Sequence, residues 1–258
     1  MKKIKIILFI LLCILATFKI SDGGTRHPST EDGKHIEYGE GFPFIGQLII
    51  IDSNNQLSYG SAVAYDDDII ITAAHLLGDG EANCFVDINK KNILILKTIK
   101  HEEYNEDIFG YNDIAICLCE KPIELKWYPA LYEGEDEVNK ICCMGGFGLP
   151  GTFETGYSKN GDYTRRAGSN KIDGIDKNLL ICSPSNTNRT SLEYCISPGD
   201  SGGGLFIDNK LAGINSCIMA TQRQSKSDYG SESGHTRISK YVNWIKENSK
   251  TIKANKNK

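Results

Sequence analysis

The chain has 258 residues, enough for one large or two small cores, and its 40% apolar content and mixed charge exclude a disordered or fibrous protein. A formal net charge of −4, two tryptophans and no sustained basic stripe argue against a nucleic-acid binder. Twenty-six glycines favour turn-rich β architecture over a helical bundle.

The first stretch stands apart from the expected fold. MKKIK is basic, residues 6–18 (IILFILLCILATF) are apolar, and small residues follow at Ser21, Gly23 and Gly24. This is the pattern of a secretory signal over residues 1–23, with cleavage near residue 23. A membrane anchor needs about 20 apolar residues, and this run has 13. Loss of Lys2, Lys3, Lys5, Lys19 and Asp22 leaves 25 basic and 32 acidic residues. The expected product is a soluble, moderately acidic, exported protein, extracellular or periplasmic and free of the membrane once the signal is cut.

Cys13 leaves with the signal, and eight cysteines remain: Cys84, Cys117, Cys119, Cys142, Cys143, Cys182, Cys195 and Cys217. An even number in an exported chain predicts disulfide bonds, with the pairing left open. CLC and CC do not match zinc-ligand spacings, so no metal is expected.

Residues 24–41 are polar and predict irregular structure. From FPFIGQLIIID onward, short β-branched runs alternate with turns rich in Gly, Asn, Asp and Pro: residues 69–74, 92–99, 113–119, 140–148, 178–183, 204–208 and 210–219. Short strands at this spacing predict an antiparallel sandwich or barrels. Residues 120–139 hold two prolines and an acidic cluster, a connector between two β halves. The one helix expected covers residues 237–249, with Ile238, Val242 and Ile245 on one face. TIKANKNK after it reads as a solvated tail.

Three places carry chemistry. IIITAAHLLGDG sets His75 just past a strand end. YNDIAICLC opens an apolar strand with Asp113, where an ionised carboxylate is costly without a partner. CISPGDSGGGLFID surrounds Ser201 with glycine and puts Asp200 directly before it. Taken singly, each has a bland explanation: a structural histidine, a strand-start aspartate, a polar turn.

Taken together, in the order His, Asp, Ser, the segments TAAH (72–75), NDIA (112–115) and GDSGG (199–203) resemble the chymotrypsin/trypsin-like serine proteases. FPFIGQL, GFG (146–148), AGINS (212–216) and GHTRISKYVNWIKE extend the resemblance over most of the chain. It implies an all-β fold of two six-stranded antiparallel β-barrels with a C-terminal α-helix. The protease domain would span 24–258, with barrels at 42–128 and 129–236 and the active site between them. It implies a secreted serine endopeptidase that needs no cofactor, acts on peptide or protein substrates and is a monomer. The alternatives are a pseudoprotease serving as a binding module, and a serine esterase.

Serine is a poor nucleophile without a base in reach. The resemblance gives His75 the role of base and then acid, and Asp113 that of fixing the imidazole. Backbone N–H groups of Gly199 and Ser201 would form the oxyanion hole. In this family the aspartate matching Asp200 pairs with a new N-terminal ammonium freed by zymogen cleavage. No basic residue followed by an Ile-Val-Gly-Gly-like segment stands at a suitable distance before Phe42. The amine could come from signal removal or from a cut after Arg26 or Lys34, or go unused.

Other departures concern the substrate. Leu76 replaces a cysteine after the histidine, and Ser216-Cys217-Ile218 replaces Ser-Trp-Gly. Cys195 falls at the expected base of the specificity pocket, so selection of Arg or Lys is not expected; Glu193 enters only if the alignment slips. Ser233 and His235 fall on the opposite wall, His235 as a pocket residue or as a buried structural one. Cys195 and Cys217 would be close enough to bridge. Asn188 opens an N-glycosylation sequon, and residues 165–174 form a basic loop.

Overall fold

The computed structural model describes residues 24–52, 54–78, 83–187, 189–220 and 226–254. Residues 1–23, expected to be a signal, and Asn188 lie outside the described residues. The chain opens with strand β1 (Gly24–Arg26) and helix α1 (Asp32–Glu40). Six strands rich in Ile and Val follow: β2 (Ile45–Ile51), β3 (Leu57–Ala64), β4 (Ile69–Thr72), β5 (Asn83–Ile88), β6 (Lys91–Lys100) and β7 (Ala115–Cys119). Branched side chains fit a pleated, packed surface, and these strands close into a barrel in the order β2-β3-β4-β7-β6-β5. Ile69, Ile70 and Ile71 are all fully buried, as on a strand covered on both faces.

The second half contains β8 (Ile141–Gly146), β9 (Pro150–Thr152), β10 (Gly156–Tyr157), β11 (Arg166–Lys171), β12 (Gly174–Asp176), β13 (Leu179–Cys182), β14 (Tyr194–Cys195), β15 (Gly204–Ile207), β16 (Lys210–Ala220) and β17 (Ser231–Arg237). Seven of them form one antiparallel sheet, β11-β8-β15-β16-β17-β13-β12. The strand beyond the six expected is the short edge strand β12, folded onto β13 through a turn with Lys177 at φ 52°. A second sheet, β10-β9-β1-β14, carries the start of the chain: β1 pairs in parallel with β9 and antiparallel with β14.

Residues 24–41 are therefore not irregular. Helix α1 buries His35 and Gly39, one turn apart, against β11. Arg166, fully buried, donates to both Asp32 oxygens at 2.8 and 2.9 Å and to both Asp162 oxygens at 2.9 and 2.8 Å. Burial pushes the His35 imidazole down to about 4, so its neutral Nδ1–H donates to the Ala167 carbonyl at 3.0 Å. At the other end a 3-10 turn (Ile238–Lys240) leads into helix α2 (Val242–Ala254). It runs past the expected end at 249 because Ile252 is buried and Lys253 pairs with Asp66 and Asp68, each at 2.7 Å. No helix of the described residues is long and apolar enough to cross a membrane.

The expected disulfides are not formed: none of the eight cysteines is in a disulfide bond. Cys142 and Cys182 come nearest, with sulfurs 3.8 Å apart. Cys195 lies in β14 beneath β1, while Cys217 packs with Leu179 and Ile181, so the two do not bridge. Cys84, Cys117 and Cys119 sit in barrel strands as small apolar side chains.

Candidate active site

Strand β4 ends at Thr72, and His75 follows in a single 3-10 turn, Ala74–Leu76, with its side chain about one-third exposed. Asp113 precedes β7 and is 3% exposed. The imidazole Nδ1 lies 2.7 Å from Asp113 Oδ2, and the His75 backbone N–H donates to Oδ1 at 2.9 Å. Two groups of the second half hold the same aspartate. Ser216 Oγ, on β16, donates to Oδ2 at 2.6 Å, and Thr236 Oγ1, on β17, donates to the Asp113 carbonyl at 2.9 Å. Burial alone would raise this carboxyl, but the hydrogen bonds from His75 and Ser216 outweigh it and hold it below its ordinary range. An ionised carboxylate is thus fixed against the imidazole within the first half and held there by Ser216 and Thr236 of the second.

Ser201 is reached through a tightly folded loop. Gly199 has φ +99°, and a Cβ there would stand 2.9 Å from the Phe147 carbonyl oxygen. Gly202 has φ +83°, and a Cβ would overlap Ser61 O and Thr72 Oγ1. Those contacts account for the glycine density around the serine. Ser61 clamps the loop, its backbone N–H donating to Ser201 O at 2.8 Å and its hydroxyl to Gly199 O at 2.8 Å. The N–H groups of Asp200, Gly202 and Gly203 donate to Ser197 O, Asn215 O and Asp200 O. Those of Gly199 and Ser201 have no acceptor among the described residues.

A cavity of about 410 Å³ brings the three groups together, lined by His75, Asp113 and Ser201 with Ser216, Cys217 and Ile218. Among the described residues no hydrogen bond joins Ser201 Oγ to His75; such contacts are often long without substrate and tighten in the complex. Cys195, Ser233 and His235 are fully buried and do not line the cavity. His235 bonds Asn215 Oδ1 at 2.9 Å and Ser233 Oγ at 3.0 Å, and burial pushes it down to about 3, so it is a neutral structural group. Glu193 is buried too, accepting the N–H groups of Ser185 and Arg189. In place of these residues the lining has an apolar part, Ile196, Pro198, Ile108 and Phe109, and a polar part, Asn105, Glu106 and Ser197. The loop 104–110 carries no periodicity to mark it; its only sequence signal is its place just before Asp113. The stretch 165–174, expected as a basic loop, is instead mostly strand β11, and Arg166 within it is buried in the clamp on α1.

The family model described as Trypsin matches residues 32–245. Granzyme-like protein 2 of Rattus norvegicus is 23% identical over 265 residues, covering 95% of this chain and 98% of the relative. Mast cell protease 8 of Mus musculus is 24% identical over 266 residues, with the same coverage. Among solved structures, neuropsin, a serine protease expressed in the limbic system of mouse brain, superposes with TM-score 0.63 at 21% identity, covering 81% of this chain and 95% of its own. A structure titled GrC gives TM-score 0.64 at 18% identity, covering 81% and 95%. With the fold shared and the family model spanning most of its length, this chain belongs to the trypsin family.

Proposed function

We propose that the chain is an exported serine endopeptidase acting on peptide or protein substrates through His75, Asp113 and Ser201. The observation that carries this reading is the ionised, buried Asp113 bound to both the ring and the backbone of His75, beside a cavity that also holds Ser201. Ser201 Oγ attacks the scissile carbonyl carbon while His75 Nε2 takes its proton. The developing oxyanion accepts the two unengaged N–H groups of Gly199 and Ser201; one such donor is worth roughly 100- to 1000-fold in rate. His75 then protonates the leaving amine, the C–N bond breaks, and an acyl-enzyme remains. Water, deprotonated by the same imidazole, releases the acid and restores the serine. Asp113 keeps the imidazole oriented and offsets its positive charge in both halves of the cycle.

Cys195 brings no carboxylate toward the substrate, and Ile196, Ile218 and Phe109 form an apolar part of the wall of a cavity that Asn105 and Glu106 also line. A small or apolar side chain at the cleavage position, not Arg or Lys, suits that wall. Exposure of the leader-free protein to a peptide library tests both points. Cleavage after apolar residues, absent from Ser201→Ala, supports the reading. Intact peptides, or cleavage retained by Ser201→Ala, would refute it.

A further inference from the structure

A second cavity, of about 300 Å³, adjoins the one that holds Ser201. Pro198 lines both, and Gly199 borders the second. Its remaining walls come from Tyr59 on β3, from Phe147 and Leu149 after β8, and from Lys159 and Tyr163 between β10 and β11. Three aromatic side chains and one ammonium thus surround a space that begins at the oxyanion loop, and no carboxylate among the described residues lines it.

Tyr163 has φ 58°, a left-handed conformation that a bulky side chain seldom adopts, and it is 56% exposed. Its ring packs on that of Tyr59, with centroids 4.9 Å apart and planes tilted by 51°. Strained backbone and exposed aromatic surface both recur where a protein meets a ligand. The loop that carries Lys159 is anchored on either side. The Ser158 N–H donates to the Pro150 carbonyl at 2.5 Å, and the Thr164 N–H to Asp162 Oδ1 at 2.9 Å. Lys159 is exposed and has no hydrogen-bond or ion-pair partner among the described residues. Asp162, the nearest acid along the chain, gives both oxygens to Arg166. An unpaired positive charge therefore stands beside an aromatic wall.

The peptidase reading seats the side chain before the scissile bond against Ile196, Ile218 and Phe109, with its carbonyl oxygen at the Gly199 and Ser201 N–H groups. The polypeptide beyond that carbonyl leaves past Gly199, where the second cavity opens. An extended chain advances about 3.3 Å per residue, so a space this close to Gly199 takes the first few residues after the cut. We propose that Lys159 is a specificity-determining residue: it selects an acidic side chain within the first three residues after the scissile bond, and Tyr59 and Tyr163 form the wall on which that segment lies. This rests on the serine-peptidase reading and adds a substrate class to it, peptides apolar before the cut and acidic after it. A charge at the rim of a site acts through encounter and orientation and is screened by salt.

The test uses the leader-free protein and its best library peptide, with each of the three positions after the scissile bond set in turn to Asp, Ala or Lys. For the wild type, kcat/KM is expected to favour Asp over Lys by about tenfold at one of those positions, since one charge is attracted and the other repelled. That ratio is expected to fall to roughly threefold in about 0.5 M NaCl. Lys159→Gln is expected to bring it near one, and Lys159→Glu to invert it. Both peptides meet the same enzyme, so the ratio does not depend on how much of a variant folds. Cleavage with no preference for Asp in the wild type, or a preference that survives Lys159→Glu, would overturn the proposal and leave the peptidase reading standing. Failure of the wild type to cleave any of the peptides would refute that reading, and this inference with it.

Discussion

Asp113 grips His75 twice, by the ring Nδ1 at 2.7 Å and by the backbone N–H at 2.9 Å. One carboxylate thereby fixes where the imidazole sits and engages its Nδ1, leaving Nε2 as the other ring nitrogen. Asp113→Asn keeps the shape but removes the charge and allows the wrong tautomer. Its kcat is expected to fall by about 10⁴-fold, measured on the peptide found by library screening. A loss below tenfold would contradict this role.

Ser216 reaches the same carboxylate from the other half of the molecule at 2.6 Å. Hydrogen bonds to charged groups contribute about 1.5–3 kcal/mol. Ser216→Ala is expected to lower kcat by roughly 10- to 100-fold, with the pH–rate profile displaced as Asp113 loses a donor. An unchanged profile and rate would show the contact to be incidental.

The clamp on the N-terminal helix yields a stability test. Arg166 is wholly buried between Asp32 and Asp162. Removing both partners strands a buried charge, for which about 3–5 kcal/mol is the usual cost. The double variant Asp32→Ala/Asp162→Ala is expected to lose that much in urea unfolding, and Arg166→Met considerably less, because the carboxylates it leaves are partly open to solvent whereas the guanidinium is wholly buried. Equal losses would contradict the buried-charge account.

The histidine contribution to stability should also fall in mild acid. His35 and His235 are pushed down to about 4 and about 3 from 6.5. Their neutral forms thus contribute stability that is whole above pH 6.5 and drains as pH falls toward those values, at ~1.4 kcal/mol per unit of pH per proton. Around His35, Arg26 and Arg166 add to the depression while Asp32 opposes it. Asp200, raised to about 6, works in the opposite sense: its cost above pH 6 disappears as pH drops toward 3.8. Glu193, also raised by burial, acts in the same sense as Asp200, so between pH 6.5 and 4.5 two carboxyls oppose the two histidines and the histidine share is isolated by substitution. His235→Gln is expected to flatten the unfolding free energy over that window by about one proton. An unaltered slope would contradict a buried, neutral His235.

How much of this was legible in the sequence follows from where the physical constraint resides. GDSGG showed because its steric demands fall on adjacent residues: Gly199 and Gly202 both need positive φ and both abut other backbone. The barrel strands showed because Ile69–Ile71 and their partners are apolar runs cut by turns. Helix α1 did not, because its hold is tertiary: Asp32 meets Arg166 across 134 positions. The cysteines misled because an even count says nothing of direction, and Cys217 points into the Leu179 cluster, not toward Cys195. Counting along the chain set Cys195 toward the substrate, whereas Ile196 and Ile218 line the cavity and Cys195 is buried away from it.

The central claim, that Ser201 is a nucleophile activated by His75, is tested most directly by labelling the leader-free protein with a fluorophosphonate and locating the adduct by peptide mass mapping. The expected result is one phosphonylated residue, Ser201, with labelling abolished in His75→Ala. An unlabelled protein, or an adduct on any other residue, would contradict it.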